Sequence, residues 1–338
     1  MEKRRLGNSD LDVTVLCLGT MTMGWANDEP TSHSILNCAV DGGINFIDTA
    51  DVYSRWVEGN PGGVSETYIG NWLNQRTSIG KPRNSLVIAT KVRGRMWDGE
   101  DGEGLSAKHI NRAVEDSLRR LRIETIDLYQ CHAPDMNTPL EETWNALAKL
   151  VRDGKVRWLG FSNFSGELHR KVIEIADQEN IPRPVSTQPK YNLTCRAEVE
   201  LDLLPVVKAA NIGMIPYSPL EGGLLTGKYK PGKDLPSGAR HTLNGRAPDK
   251  LTPRVVATLE EMEKIAKAHN ATYSQVALAW MIASKWMTSP IVGATSVEQL
   301  KELLPAAGLH LSGEELGRLN KVSDESGTEA TFTQRGPV

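Results

Sequence analysis

Eight apolar, β-rich runs recur along the chain with helix-like stretches between them, and this alternation constrains the fold more than any other feature. The runs are "VTVLCLG" (13–19), "INFIDTA" (44–50), "LVIATKV" (86–92), "IDLYQCH" (126–132), "VRWLGFSN" (156–163), "PVSTQPKYN" (184–192), "IGMIPYSP" (212–219) and "SPIVGA" (289–294). They are continuous rather than strictly alternating, as expected for parallel strands buried on both faces. Between them, "SAKHINRAVEDSLRRL" repeats apolar residues at Ile110, Ala113, Val114, Leu118 and Leu121, a helical period. "TPLEETWNALAKLVRDG" opens with Thr138 and Glu141 spaced as a capping box and Pro139 at the first helical position. Thr272 with Gln275, Ser296 with Gln299, and Ser312 with Glu315 repeat that spacing. The alternation predicts an α/β fold, a parallel (β/α)8 TIM barrel in one domain spanning 1–338, with an open doubly wound sheet as the alternative.

Two segments interrupt the rhythm. Residues 1–14 carry an Asn-Ser turn between short runs and read as an N-terminal β-hairpin. Residues 221–251 are Gly/Pro-rich with little periodicity, a length of loop usually kept for function.

Composition excludes several classes. The 338 residues are 39% hydrophobic and 24% charged with a formal net charge of -3, an ordinary globular balance with no electrostatic case for nucleic acid. The N-terminus "MEKRRLGNSD" does not read as a signal peptide, and no uncharged apolar run is long enough to cross a bilayer. Cys17, Cys38, Cys131 and Cys195 are widely spaced without a CxxC pair, against a disulfide framework or a zinc site. The expectation is a cytoplasmic protein without nucleic-acid partners or membrane insertion; its oligomeric state is open.

In a barrel of this kind, catalytic groups come from the C-terminal ends of the strands. Those ends carry Asp48, Asp51 and Tyr53 after the second run and Lys91 on the third. His132 ends the fourth, Ser162 and Asn163 the fifth, Gln188 lies in the sixth, and Tyr217 and Ser218 in the seventh. Each has an ordinary structural explanation alone: a turn aspartate, a lysine reaching to water, a core tyrosine or histidine. Their convergence on one rim describes an active site. A lysine pointing into a dry barrel needs a carboxylate, which Asp48 supplies from the neighbouring strand. Its ammonium beside Tyr53 is expected to lower the tyrosine pKa, so that Tyr53 donates a proton near neutral pH. His132 is placed to orient a carbonyl.

The motifs "FIDTADVY", "IATKV", "LYQCH", "GFSNF", "YSPLEGGLLTGKY" and "GATSVEQL", in this order over nearly the whole chain, resemble the aldo-keto reductases. The resemblance implies an oxidoreductase that reduces aldehydes or ketones with NADP(H), with a catalytic tetrad of Asp48, Tyr53, Lys91 and His132 and no metal. It implies nicotinamide contacts from Ser162, Asn163, Gln188 and Tyr217, and pyrophosphate contacts from Ser218, Leu220, Gly223 and Lys228. Arg240 is implied to close the loop over the cofactor. Gly19, Thr20, Met21, Gly293, Thr295, Gln299 and Glu302 complete the cofactor set. Thr295 and Gln299 open a helix whose amides favour an anion, which suits a ribose 2′-phosphate and NADP(H) over NAD(H).

Leu303 departs from the family pattern, standing where an asparagine commonly contacts adenine, and the loop after Tyr53, "SRWVEGNPGGVSE", is longer than the minimal one. Trp25, Trp56 and Trp97 on neighbouring loops are candidates to line the substrate pocket, against plain loop packing. "GGLLTGKY" nearly spells a phosphate-binding loop through Gly222, Gly227 and Lys228, but Tyr229 stands where Ser or Thr is required. "GTMTMG" lacks the G-x-G-x-x-G spacing of an open dinucleotide-binding sheet. Some relatives of this fold are ion-channel accessory subunits that hold the cofactor mainly as a sensor, and the same motifs fit that second reading.

Overall fold

The computed structural model describes residues 1–78, 80–81, 83–230, 234 and 251–325. Lys3–Arg5 (β1) and Asp12–Thr14 (β2) pair antiparallel as the N-terminal hairpin. The barrel strands follow: Cys17–Gly19 (β3), Phe46–Asp48 (β4), Val87–Val92 (β5), Ile126–Cys131 (β6), Val156–Ser162 (β7), Ser186–Gln188 (β8), Gly213–Met214 (β9) and Ile291–Gly293 (β10). The helices Glu29–Asp41 (α1), Val64–Ser78 (α2), Ala107–Leu121 (α3), Leu140–Arg152 (α4), Gly166–Gln178 (α5) and Leu204–Ala210 (α6) alternate with them. The sheet order is β10-β3-β4-β5-β6-β7-β8-β9, every pair parallel. Thr288 N donates to Met214 O at 2.9 Å and Ile291 N to Pro216 O at 2.9 Å, which closes the ring. The fold is a (β/α)8 barrel. No described helix is long and apolar enough to cross a membrane.

Strand parity sorts the core into two shells. Phe46, Val87, Ala89, Leu128 and Ile215 meet inside the barrel, whereas Ile88, Val92, Tyr129 and Leu159 face outward among the helices. The hairpin adds Leu6, Leu11 and Val13 to the inner cluster, beside the first residues of β4 and β5. It therefore plugs the N-terminal end of the barrel, and the C-terminal strand ends are left as the mouth. Gly7 makes this approach possible: at φ 52, a Cβ there would stand 2.3 Å from Val185 O.

Two expectations need correction. The first apolar run, 13–19, is not one strand. Val13 and Thr14 belong to the hairpin and only Cys17–Gly19 enters the barrel, because the chain must turn from the plug into the wall. The capping box at Thr138 and Glu141 does not form. Pro139 is the N-cap without a side-chain cap bond, and Thr138 Oγ1 donates instead to Asp135 Oδ2 at 2.8 Å. An ionised carboxylate in the preceding turn is the stronger acceptor. The boxes at Thr272 with Gln275 and Ser312 with Glu315 close in both directions. At Ser296 only half closes, since Gln299 Oε1 accepts from Thr295 N and Thr295 Oγ1.

Candidate active site

Lys91 shares the inward parity of Val87 and Ala89, and β4 pairs Asp48 with Ala89, so the two charges meet inside the barrel. Lys91 is wholly buried. Its Nζ donates to Asp48 Oδ2 at 2.6 Å, to Thr49 O at 2.9 Å and to Tyr53 Oη at 3.0 Å, which uses all three ammonium hydrogens. Asp48 Oδ1 accepts from Gln188 Nε2 at 2.9 Å and from Gln130 Nε2 at 3.1 Å. Both charges are thus fully hydrogen-bonded, the condition under which a buried ion pair is tolerated. Burial works against the ammonium, but Asp48 and then Tyr53 outweigh it and hold Lys91 above the ordinary lysine range.

An ammonium can only donate, so Tyr53 accepts from Lys91 and keeps its own O–H for another acceptor. Tyr53 and His132 are both partly exposed, with ring centroids 5.8 Å apart in an edge contact. The expectation of a lowered tyrosine pKa is overturned. Burial raises Tyr53 above its ordinary value, Lys91 pulls it down, and Asp48 pushes it up again. Because Asp48 cancels most of the lysine charge, burial decides, and Tyr53 stays a phenol at neutral pH, the form that donates. Burial, with Lys91 and Arg93 adding to it, holds His132 well below the usual histidine range. Its ring is therefore neutral, and Nδ1 has no hydrogen-bond partner among the described residues.

A second network joins this group. Asn163, at φ 60, donates through Nδ2 to His132 O at 3.0 Å and to Ser162 Oγ at 3.0 Å. Tyr217 Oη donates to Asn163 Oδ1 at 2.9 Å, and Ser162 Oγ to Gln188 O at 2.9 Å. The four residues read as nicotinamide contacts therefore lie together at one side of the tetrad. Residues 220–228 turn through left-handed glycines, Gly222 at φ 61 and Gly223 at φ 96, with Ser218 also left-handed at φ 56. The face of Gly223 is where Lys228 Nζ comes down, 2.7 Å from a Cβ built there. Close-packed backbone and one ammonium fit a pyrophosphate, so the donor set suits a dinucleotide. Leu220 packs into the core at this turn. Tyr229 is fully buried, where a nucleoside-triphosphate loop has a Ser or Thr hydroxyl.

The remaining cofactor candidates divide. Gly19 and Met21 lie at the mouth end of β3 and are partly exposed. Thr20 is buried, and Oγ1 donates to Asp48 O at 3.0 Å. Gly293 ends β10 exposed, and Thr295 and Gln299 are bonded to each other. Glu302 is exposed, whereas Leu303 is buried in the outer core and so turned from the surface. Arg240 lies outside the described residues.

Among the tryptophans, Trp56 lies edge-on to Tyr53 at 6.3 Å and to Trp25 at 5.9 Å. Both indoles are exposed, at 39% and 46%. Trp97 instead stacks on His109 at 4.8 Å and lies under Arg112 at 4.0 Å, both on α3. A recess of about 450 Å³ separates the two tryptophan groups, with Arg55, Trp56, Asn60, Met96 and Trp97 in its wall.

Sequence reasoning missed Gln130. It stands two positions before His132 in an apolar strand, and period-two parity aims it at Asp48. Asp51, by contrast, is no part of the mouth. It is fully buried, with neither carboxylate oxygen hydrogen-bonded among the described residues. Burial, reinforced by Glu66 and opposed by Arg120, pushes its carboxyl well above the usual range. Glu66 itself is held by Thr90 Oγ1 and Arg120 Nε, behind the barrel wall. A raised folded-state pKa gives stability that is complete below the unfolded value, about 3.9, and is lost as pH rises toward the folded one. Asp51→Asn should therefore raise the thermal midpoint at pH 8 and change it little at pH 4. An equal shift at both would contradict this reading.

The sequence model of the Aldo/keto reductase family matches residues 15–324. "Uncharacterized oxidoreductase YrpG" of Bacillus subtilis (strain 168) is 38% identical over 333 residues, covering 97% of this chain and 98% of the relative. "L-glyceraldehyde 3-phosphate reductase" of Escherichia coli (strain K12) is 34% identical over 328 residues, covering 95% and 92%. "Probable voltage-gated potassium channel subunit beta" of Arabidopsis thaliana is 34% identical over 312 residues, covering 90% and 91%.

Proposed function

The chain belongs to the aldo/keto reductase family of oxidoreductases, and from that premise we propose that it reduces aldehydes or ketones to alcohols with NADPH, Tyr53 giving the proton. The observation that carries the reading is the bridge Lys91 makes between Asp48 and Tyr53, at 2.6 and 3.0 Å, beside a neutral His132. NADPH, when bound, supplies the hydride that reaches the carbonyl carbon. Tyr53 transfers its phenolic proton to the carbonyl oxygen as negative charge builds there. Lys91 then faces a phenolate, which its ammonium stabilises until solvent returns the proton. Asp48, Gln130 and Gln188 keep that ammonium in register. His132 donates a hydrogen bond to the same oxygen and fixes its direction.

Ser162, Asn163, Gln188 and Tyr217 would hold the nicotinamide, and residues 218–228 the pyrophosphate. Trp25 and Trp56 offer a flat apolar wall beside Tyr53, suited to an aromatic or extended carbonyl compound. The 2′-phosphate preference rests on the family resemblance around Thr295 and Gln299. Titrating NADPH and NADH against tryptophan fluorescence, with transfer of deuterium from [4-²H]NADPH to an aldehyde, tests the reading. Tighter NADPH binding and deuterium at the alcohol carbon are expected. Equal affinity for both cofactors would remove the NADP(H) assignment, and absence of transfer would remove the reduction. The channel-subunit relative keeps a binding role in view, which tight binding without transfer would favour.

A further inference from the structure

Two residues beyond Lys91, the chain leaves β5 at Arg93, with φ 144. Its side chain reaches the loop that follows His132, close enough for its charge to help lower the His132 pKa. The residue is partly exposed. Its Nε donates to Pro134 O at 2.9 Å, two positions past His132, and its own carbonyl accepts from Gly104 N at 2.9 Å. These bonds fasten the guanidinium alongside the histidine loop. Its two terminal nitrogens donate to nothing among the described residues, and no carboxylate there forms an ion pair with it. Asp135 feels the Arg93 charge, which helps hold its carboxyl low, but its oxygens are taken by Leu105 N, Asn137 N and Thr138 Oγ1.

The charges of the tetrad cancel. Lys91 is neutralised by Asp48, and His132 is uncharged, partly because the Arg93 charge stands close to it. That leaves an anchored guanidinium fork beside His132 with no ion-pair partner among the described residues. A non-glycine residue at positive φ on a strand end is a strained placement, the kind that persists where the surroundings fix a functional group.

We propose that Arg93 is a specificity-determining residue that binds the carboxylate of an anionic carbonyl substrate. Two parallel N–H donors match a carboxylate bidentately, while the carbonyl lies between Tyr53 and His132. This rests on the reductase reading and names the substrate class of that same site.

The test compares 4-carboxybenzaldehyde with its methyl ester, a pair differing in charge at the far end of one ring. Wild type, Arg93→Met and Arg93→Lys are assayed with NADPH. Wild type should favour the carboxylate over the ester in kcat/KM by about tenfold or more, the worth of a charge-assisted hydrogen bond. Arg93→Met should lose that preference through KM, with ester turnover and NADPH affinity little changed. Arg93→Lys should recover part of it, because it keeps the charge and loses the fork. Ester reduction without any carboxylate preference in wild type, or a preference that survives in Arg93→Met, overturns the inference and leaves the reductase reading standing. Failure to reduce either aldehyde overturns the inference, and only a wider carbonyl panel without turnover overturns the reductase reading as well.

Discussion

Tyr53→Phe should lower kcat for aldehyde reduction by about 10²- to 10⁴-fold, the span usual for loss of a positioned general acid. The substitution removes one oxygen and keeps the ring. The edge contacts of that ring with His132 and Trp56 therefore survive, and the hydrogen-bond network through Asn163, Ser162 and Tyr217 is untouched. NADPH affinity should change little, so the loss belongs to the chemical step. Lys91 gives up one of three acceptors but keeps Asp48 and Thr49 O. Steady-state NADPH oxidation together with a binding titration separates these effects. A Phe variant that keeps most of its turnover would show that another group supplies the proton.

Lys91→Met has the larger expected effect on stability. Among the described residues it leaves the buried Asp48 carboxylate with only the amides of Gln130 and Gln188 as donors. Breaking a buried pair by removing one partner typically costs about 3–5 kcal/mol, because the remaining charge keeps its desolvation penalty. Turnover should fall as well, since nothing then stabilises the phenolate of Tyr53. Asp48→Asn added to Lys91→Met removes the stranded charge. The double variant should regain much of the lost stability and none of the activity. Urea unfolding of the two variants checks the first half and NADPH oxidation the second. A Lys91→Met protein as stable as wild type would contradict the account of the ion pair.

The barrel was legible because parallel strands covered on both faces leave eight continuous apolar runs that survive any choice of loop. Strand limits were less legible: the run 13–19 serves both the plug and the wall, and nothing apolar marks the turn between them. The Lys91–Asp48 contact followed from burial, since a lysine within "LVIATK" has to find a carboxylate. The direction of the Tyr53 shift did not follow, because it depends on how completely Asp48 cancels the lysine, a matter of 2.6 Å rather than of residue type. Asp51 and Asp48 look alike in "IDTADVY". They part because Asp48 still lies in β4 and faces inward, whereas Asp51 follows a turn and lies toward Glu66 and Arg120. Trp97 showed a similar ambiguity. Its partners, His109 and Arg112, come from a helix that begins ten residues later. Gln130 was readable by parity alone, as the polar member of an inward-facing set.

The most direct test of the central claim is NADPH consumption by the wild-type protein across a panel of aldehydes and ketones, with the alcohol product quantified alongside. The account predicts turnover of at least one carbonyl compound, with one alcohol formed for each NADPH oxidised. Tight NADPH binding with no carbonyl compound reduced would contradict it.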